Sequence, residues 1–175
     1  IGEVKNGTLD MARVNLSVFN AAVPSTVIPA LPYIFRSTTH MRHVLDGPIG
    51  HRILADLESQ GLVGLCFYDA GVRSFYSATK PIRSAADMKG MNVRVQQGDI
   101  AAIMVRKLGA TPMTMSYRKA HAALGTGVVD AAVNNLALYA TSGHYKVAKF
   151  YSLTRHSMAP GVLVFSKQVW DTLSK

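Results

Sequence analysis

From residue 62 onward, the chain alternates between short apolar runs of strand length and helical segments of about ten residues. Strands are predicted at 9–14, 62–68, 72–77, 91–95, 111–115, 128–133, 149–153 and 161–165. Strands that alternate with helices are typical of an α/β fold with a largely parallel sheet. Ligands of such sheets bind beyond the carboxyl ends of the strands, so residues at strand ends are the first candidates for a site.

The helices are predicted from their capping residues. Ser37 is a predicted N-cap for a helix that breaks near Gly47-Pro48, resumes and stops at Gly61. Asp99 and Ser116 are expected to cap helices over 99–109 and 116–124, and a further helix is predicted over 135–145. A last helix is predicted to begin at Ser166.

Charge and cysteine content narrow the classes of partner. The chain has 19 Lys and Arg against 10 Asp and Glu, which gives a formal net charge of +9. The basic residues are scattered, with no run of three, which argues against a nucleic-acid interface. A solvated basic surface and a positive cleft for a small anion both remain open. Cys66 lies in the apolar run LVGLCFY and is predicted to be a buried core thiol.

No residue pattern indicates catalysis, a metal or a cofactor. His40 and His43 share a helix face, but no Cys, Asp or Glu stands at the spacing that would complete a metal shell. His156 and Ser157 are adjacent, but no GxSxG motif accompanies them. GxGxxG and GxxxxGK[ST] are also absent. We therefore predict no catalytic residue, no metal ligand and no cofactor.

Two arginines and an asparagine pair are the strongest candidates for binding. Arg94 lies on the strand face opposite Val93 and Val95, where it is either solvated or paired with an anion. Arg73 stands beside aromatic residues in GVRSFYS, and Asn134 and Asn135 follow in DAAVNN. A planar guanidinium binds a carboxylate through two parallel hydrogen bonds. Together these residues favour an anion-binding cleft.

Several stretches, in order, resemble the DctP-type solute-binding proteins of TRAP transporters. They are GTLDMARV, IPALPYIF, GVRSFYS, ADMKGMNVRVQ, LGATPMTM, ALGTGVVDAAVNN and YSLTRHSMAPGVLVFSKQVWDTL. The resemblance implies a type II periplasmic-binding-protein-like fold with two α/β lobes, here incomplete at both ends. Residues 1–70 would form part of the first lobe, 71–157 the second, and 158–175 would return to the first and begin a truncated helix.

The resemblance also implies a function without catalysis. Proteins of this family reach the periplasm, with their signal peptide removed, and capture an organic acid (a carboxylate or dicarboxylate) between the lobes. They then deliver the acid to the membrane permease of the transporter. The matching positions for ligand binding are Arg94, Arg73, Asn134, Tyr117 and Asn15. The alternative is a sensor or enzyme domain that reuses this fold.

Two departures from the family pattern bear on the ligand. Lys119 stands where the family has an acidic residue, and Val133 stands where it has a glutamate. Both changes remove negative charge, so a dicarboxylate or hydroxy-diacid is predicted to be preferred over a neutral sugar or a zwitterion. A chain ending at Lys175 would also expose Val169, Trp170 and Leu173. Because exposed apolar surface promotes association, such a chain is expected to self-associate.

Overall fold

The computed structural model describes residues 1–96, 98–158 and 160–173. The chain is mixed α/β and divides into two compact units. One unit comprises Ile1–Ala70 with Met158–Lys175, and the other comprises Gly71–Ser157. In the described part of the chain, no helix has both the length and the hydropathy that crossing a bilayer would require.

In the described part of the chain, eight strands form two separate sheets. In chain order they are β1 (Met11–Asn15), β2 (Leu62–Tyr68), β3 (Val72–Ser77), β4 (Asn92–Val95), β5 (Thr111–Thr114), β6 (Ala131–Asn135), β7 (Phe150–Met158) and β8 (Gly161–Ser166). The predicted strands 62–68 and 72–77 are confirmed to the residue. The predicted strand at 128–133 instead begins at Ala131, and the backbone N–H of Val129 still bonds to the carbonyl oxygen of Ala123 in the preceding helix.

The α-helices are short. They are α1 (Gly2–Lys5), α2 (Thr38–Leu45), α3 (Pro48–Asp56), α4 (Asp99–Lys107), α5 (Tyr117–Gly125), α6 (Leu136–Thr141) and α7 (Lys167–Trp170). Ser37 and Ser166 cap α2 and α7 through their hydroxyl groups, as predicted. Asp99 is not the N-cap of α4: Gly98 occupies that position, and Asp99 lies in the first turn, where a carboxylate also stabilises the positive end of the helix.

The first unit contains a three-stranded sheet in the order β1-β8-β2, and both strand pairs are antiparallel. Its core joins apolar side chains from α2, α3 and the sheet, including Met41, Leu45, Ile53, Leu62 and Val164. The predicted break between α2 and α3 is confirmed, and Gly61 ends the following 3-10 turn with a left-handed conformation, φ 72°.

The second unit contains a five-stranded sheet in the order β5-β4-β6-β3-β7. β4 pairs in parallel with β5 and with β6, whereas β3 pairs antiparallel with β6. The chain leaves β4 through α4 to reach β5 on one side, then returns through α5 to β6 on the other. The connections therefore reverse direction at β4, which is the position in open α/β sheets where ligands bind.

The prediction of a largely parallel sheet was wrong. Every described pair in the first unit is antiparallel, and the second unit is mixed. The apolar pattern of a strand reports which faces are covered but not the direction of its neighbours. Direction depends on which distant segments pair, and β8 pairs with β1, which precedes it by more than a hundred residues.

Cys66 is exposed, so the prediction of a buried thiol was also wrong. It lies in β2, at the edge of the three-stranded sheet, where the register against β8 shifts between Gly64 and Cys66. Such a bulge turns the following side chains relative to the sheet, and an apolar sequence run does not reveal it.

Candidate functional site

One edge of the five-stranded sheet carries three of the predicted site residues. Arg94 is the penultimate residue of β4, Asn134 is the penultimate residue of β6, and Arg73 is the second residue of β3. Because β3 runs antiparallel to β6, its start lies at the same edge as the ends of β4 and β6. Arg73 pairs directly with Asn135, and Arg94 lies level with Ala132.

Arg94 is only 3% exposed. Its Nε and Nη2 atoms donate hydrogen bonds to the carbonyl oxygen of Met115 at 3.2 and 2.8 Å, which fixes the plane of the guanidinium. Burial lowers the pKa of Arg94, although an arginine remains charged at neutral pH. The sequence had left open whether this side chain is solvated, and the structure shows that it is not.

Arg73 is half-buried, and its Nη2 donates to the carbonyl oxygen of Val133 at 3.1 Å. Burial and then the charge of Arg94 lower its pKa to about 10. Among the described residues, the ion pairs are Arg42–Asp46 and Lys167–Asp171, so neither Arg73 nor Arg94 has a carboxylate partner. Two guanidinium groups that repel each other, without a counter-ion, form a site prepared for an anion.

Asn134 lies on the same sheet face as Arg94, because paired and alternate residues of neighbouring strands share a face. It is buried, and its Oδ1 accepts a hydrogen bond from the backbone N–H of Asn135. Its backbone oxygen accepts a hydrogen bond from the hydroxyl of Tyr151 at 3.1 Å. With its oxygen engaged, the amide has N–H groups to offer to an acceptor.

Tyr117 begins α5 and covers Arg94, whose guanidinium carbon lies 5.6 Å from the ring centroid. This is within the range of a cation–π interaction. The hydroxyl of Tyr117 donates to the carbonyl oxygen of Leu138 at 2.9 Å and contacts Ser142 Oγ at 2.5 Å, so α6 holds the ring in place.

Asn15 lies in the other unit and has a local structural role there. It caps the 3-10 helix Leu16–Phe19, and its Oδ1 accepts hydrogen bonds from the N–H of Ser17 at 3.0 Å and from its hydroxyl at 2.6 Å. The structure therefore brings together Arg94, Arg73, Asn134 and Tyr117 within one unit, whereas Asn15 remains a prediction.

Behind Tyr117 lies a buried pair that the sequence did not indicate. The hydroxyl of Tyr76 is 2.7 Å from Nδ1 of His144, and both side chains are fully buried. Burial, followed by His121 and Arg94, lowers the pKa of His144, and burial raises that of Tyr76. Both groups are therefore neutral at physiological pH and add no charge that would compensate the arginines.

His156 is a second residue whose position the sequence did not reveal. It lies on β7, only 2% exposed, with its ring stacked on Phe75 at a centroid distance of 4.3 Å. Burial and then Arg73 lower its pKa to about 3. The sequence did contain one signal: Thr154 and His156 alternate along a strand and so lie on the same face. In the structure, Thr154 Oγ1 lies 2.9 Å from Nδ1 of His156.

The net charge of the chain is concentrated in the unit that holds the arginines. Residues 71–157 contain 12 of the 19 Lys and Arg and 3 of the 10 Asp and Glu, an excess equal to the whole formal charge of +9. Lys119 is exposed on α5, while Val133 packs with Phe75 and Val93 in an apolar cluster. A positive field of this kind concentrates small anions around the unit.

The arrangement is suited to holding an anion. Guanidinium and amide N–H groups converge on one sheet edge, and among the described residues no carboxylate forms an ion pair with either arginine. Within residues 1–96, 98–158 and 160–173, no group of three or more His, Cys, Asp or Glu is placed to hold a metal ion.

Comparison with known proteins identifies the family. The sequence model of the family "Bacterial extracellular solute-binding protein, family 7", of the DctP type, matches residues 1–175. The chain belongs to this family. The resemblance inferred from the sequence motifs is thereby confirmed, as is the α/β binding-protein fold.

Solved structures and a curated relative agree with this assignment. A TRAP periplasmic solute-binding protein from Bradyrhizobium sp. BTAi1, in complex with α/β-D-galacturonate, is 55% identical with a TM-score of 0.95. One from Xanthobacter autotrophicus Py2, with bound β-D-galacturonate, is 48% identical with a TM-score of 0.94. Each comparison covers 99% of this chain and 58% of the other.

A solute-binding protein from Chromohalobacter salexigens is 36% identical over 175 residues, which is 100% of this chain and 52% of that protein. The chain thus spans about half the length of the curated relative and somewhat more than half of the two structures.

Proposed function

We propose that this chain is part of the periplasmic solute-binding component of a TRAP transporter and binds an organic acid through its carboxylate. The observation that carries the proposal is the pair Arg73 and Arg94, which lie at one sheet edge with no acidic partner among the described residues. An anion that forms bidentate hydrogen bonds with these groups would remove their repulsion.

The binding roles follow from the contacts of each side chain. Arg94 would hold the carboxylate, because Met115 and Tyr117 already fix its orientation. Arg73 would supply a second positive charge, and the amide of Asn134 would donate to a ligand oxygen. Asn15 would be a further polar contact, although its side-chain Oδ1 already accepts hydrogen bonds from Ser17.

A hexuronate is the ligand class we favour. The two similar structures above contain galacturonate, which has one carboxylate and several hydroxyl groups. A hexuronate has a single carboxylate, whereas the departures from the family pattern at Lys119 and Val133 led us to predict a dicarboxylate or hydroxy-diacid. Lys119 is exposed and Val133 packs in an apolar cluster, which weakens the argument from those two positions.

The periplasmic location, the lobes and the permease partner are proposed from family membership. We assign residues 71–157 to one lobe of the binding protein, and residues 1–70 with 158–175 to part of the other. The ligand would be passed to the membrane permease of the transporter, as the family membership implies. Neither self-association nor a nucleic acid is needed for this function.

Calorimetric titration of the chain with D-galacturonate, D-galactose and succinate tests the proposal. D-galactose is the matched control, because it keeps the hydroxylated ring and lacks the carboxylate. We expect binding of D-galacturonate and none of D-galactose. Tightest binding of succinate would retain the carboxylate mechanism and replace the hexuronate with a dicarboxylate. Binding of galactose as tight as that of galacturonate would refute a role for the arginines.

A further inference from the structure

Tyr76 and Arg94 lie on the same face of the five-stranded sheet. Both residues are level with Ala132 of β6, Tyr76 from β3 on one side and Arg94 from β4 on the other. Residues that are directly opposite on neighbouring strands share a face. The alanine between them is small and buried, so it leaves room above the sheet for larger side chains. Tyr76 therefore belongs to the same layer of side chains as Arg94.

The ring of Tyr117, which covers Arg94, has two supports. Its hydroxyl forms hydrogen bonds with Leu138 and Ser142. Its ring also packs against the imidazole of His144, with a centroid distance of 5.1 Å and an angle of 41° between the planes. Tyr117 is thus in contact with the guanidinium of Arg94 and with a second ring that belongs to another part of the chain.

The orientation of His144 depends in turn on Tyr76. The imidazole is 1% exposed, and its Nδ1 lies 2.7 Å from the hydroxyl oxygen of Tyr76. Tyr76 is fully buried, and burial raises its pKa, so the hydroxyl keeps its proton. Turning the imidazole away would leave two buried polar groups unpaired, which is costly. The hydrogen bond therefore fixes the ring of His144 relative to the sheet.

We propose that the Tyr76–His144 pair positions the ring of Tyr117 over Arg94, and so holds the guanidinium in the orientation in which it binds the carboxylate of an organic acid. This inference rests on the proposed function. It makes Tyr76 and His144 positioning residues, which act on binding through Tyr117 and need not touch the ligand.

The placement of the Tyr117 ring matters because of its distance from the charge. The guanidinium carbon of Arg94 is 5.6 Å from the ring centroid, close to the limit of about 6 Å for a cation–π interaction. A small displacement of the ring would therefore weaken the contact. Arg94 has no acidic partner among the described residues, so its buried charge depends on the ring face and on the carbonyl oxygen of Met115.

Two substitutions of tyrosine by phenylalanine separate positioning from stability. Tyr76→Phe removes the hydroxyl that holds His144 and keeps the ring. Tyr139→Phe is the matched control, because its buried hydroxyl donates to the carbonyl oxygen of Ala148 at 2.7 Å and its ring packs on that of Tyr76. Each variant loses one buried hydrogen bond, so the melting temperatures should fall by similar amounts.

The two variants should differ in their affinity for D-galacturonate. We expect Tyr76→Phe to bind it about threefold to tenfold more weakly than the wild type, and Tyr139→Phe to stay within about twofold. Equal losses of affinity would mean that the cluster of tyrosines loosens as a whole, and an unchanged affinity of Tyr76→Phe would mean that its hydroxyl is not needed. Either result would overturn the proposal.

A double-mutant cycle tests whether the pair acts as a unit. His144→Phe keeps an aromatic ring beside Tyr117 but cannot bond to Tyr76. If the bond between them is what positions Tyr117, the variant with both substitutions should bind D-galacturonate no more weakly than the weaker single variant. Losses that add, or a double variant that regains the wild-type affinity, would overturn the proposal.

Proton–nitrogen NMR of the ligand-free chain gives a test that needs no acid. The Nε–H of Arg94 donates to Met115, and its resonance senses the nearby ring of Tyr117. Tyr76→Phe should shift this resonance, and Tyr139→Phe should leave it in place. The same resonance position in Tyr76→Phe and the wild type would overturn the proposal. If the wild type bound no acid, the proposed function would fail, and this measurement would still decide whether the pair positions the ring.

Discussion

The guanidinium carbon of Arg94 lies 5.6 Å from the ring centroid of Tyr117, and the hydroxyl of that ring forms hydrogen bonds with Leu138 on α6 and with Ser142, the C-cap of α6. The aromatic face stabilises the buried charge, while the hydroxyl bonds hold the ring where it can do so. Contacts from two helices therefore position a charge that is carried by a strand.

Arg94→Lys is expected to weaken D-galacturonate binding by about 2–4 kcal/mol, because a lysine cannot reproduce the bidentate, charge-assisted pair. The ammonium would also lose one of the two bonds to Met115. Arg106→Lys, on the exposed part of α4, is the matched control. Calorimetry measures both variants, and an unchanged affinity of Arg94→Lys would remove Arg94 from the site.

Tyr117→Phe and Tyr117→Leu separate the hydroxyl of this residue from its ring. The phenylalanine variant keeps the aromatic face over Arg94 and should lose at most about 1 kcal/mol of binding free energy, the usual value of one hydrogen bond. The leucine variant loses the cation–π contact as well and should bind more weakly. Equal affinities of the two variants for D-galacturonate would show that the ring face contributes nothing.

The association rate constant for D-galacturonate should fall as salt is added. The unit that holds both arginines carries all of the net positive charge, and such a field steers an anion toward it. Raising the ionic strength from about 0.01 to about 0.3 M shortens the screening length and should slow association by about tenfold. Stopped-flow tyrosine fluorescence measures the rate. A dissociation rate that accounts for the whole salt effect would contradict steering.

Stability should rise with pH between about 5 and 6.5 because of His156. Its pKa in the folded chain is about 3, so the native ring stays neutral. In the unfolded chain, with an ordinary pKa near 6.5, it binds a proton as the pH falls. Acid therefore favours the unfolded state, with a slope of up to about 1.4 kcal/mol per pH unit.

His156→Gln should reduce this slope by about 1 kcal/mol per pH unit, since glutamine does not titrate. Urea unfolding at a series of pH values gives the free energies of unfolding. The lowered pKa of His144 contributes a dependence of the same sign, which the variant leaves in place. If the free energy of unfolding depended on pH in the same way in both proteins, burial would not be what keeps His156 neutral in the folded state.

Gly50→Ala should destabilise the first unit by about 2–3 kcal/mol. A methyl group there would lie 1.8 Å from the backbone oxygen of Leu45, so α2 and α3 would have to move apart. Gly2→Ala is the control, because no atom lies within 4 Å of the added methyl group. Thermal unfolding compares the two, and equal melting temperatures would mean that the helices adjust at no cost.

Much of the secondary structure is encoded locally. Ser37 and Ser166 cap helices through bonds that span three residues, and Gly61 supplies a left-handed turn. Strands β2 and β3 have the predicted limits because their apolar runs are bounded by turn residues. Family membership could likewise be inferred from contiguous motifs, since each is a short segment of sequence.

The sequence predicted the candidate site only in part. The alternation of Met91–Val95 correctly separates Arg94 from the side of Val93 and Val95 that packs in an apolar cluster, but it does not show that Arg94 is buried beneath Tyr117. Nor does any local pattern bring Arg73 near Arg94, because their strands are separated in the sheet by β6. The burial of His156 was not predicted, because the ring on which it stacks, Phe75, lies 81 positions earlier in the sequence.

The sequence by itself thus determined where most strands and helices lie and which residue types are offered at the strand ends, because caps, turns and side-chain alternation act over a few residues. Only the tertiary structure decided the direction of each strand, the exposure of Cys66 and the placement of the buried Arg94 near the half-buried Arg73, neither of which has an acidic partner among the described residues. These depend on which distant segments pair, and the free energy of that pairing comes from burial summed over the whole unit.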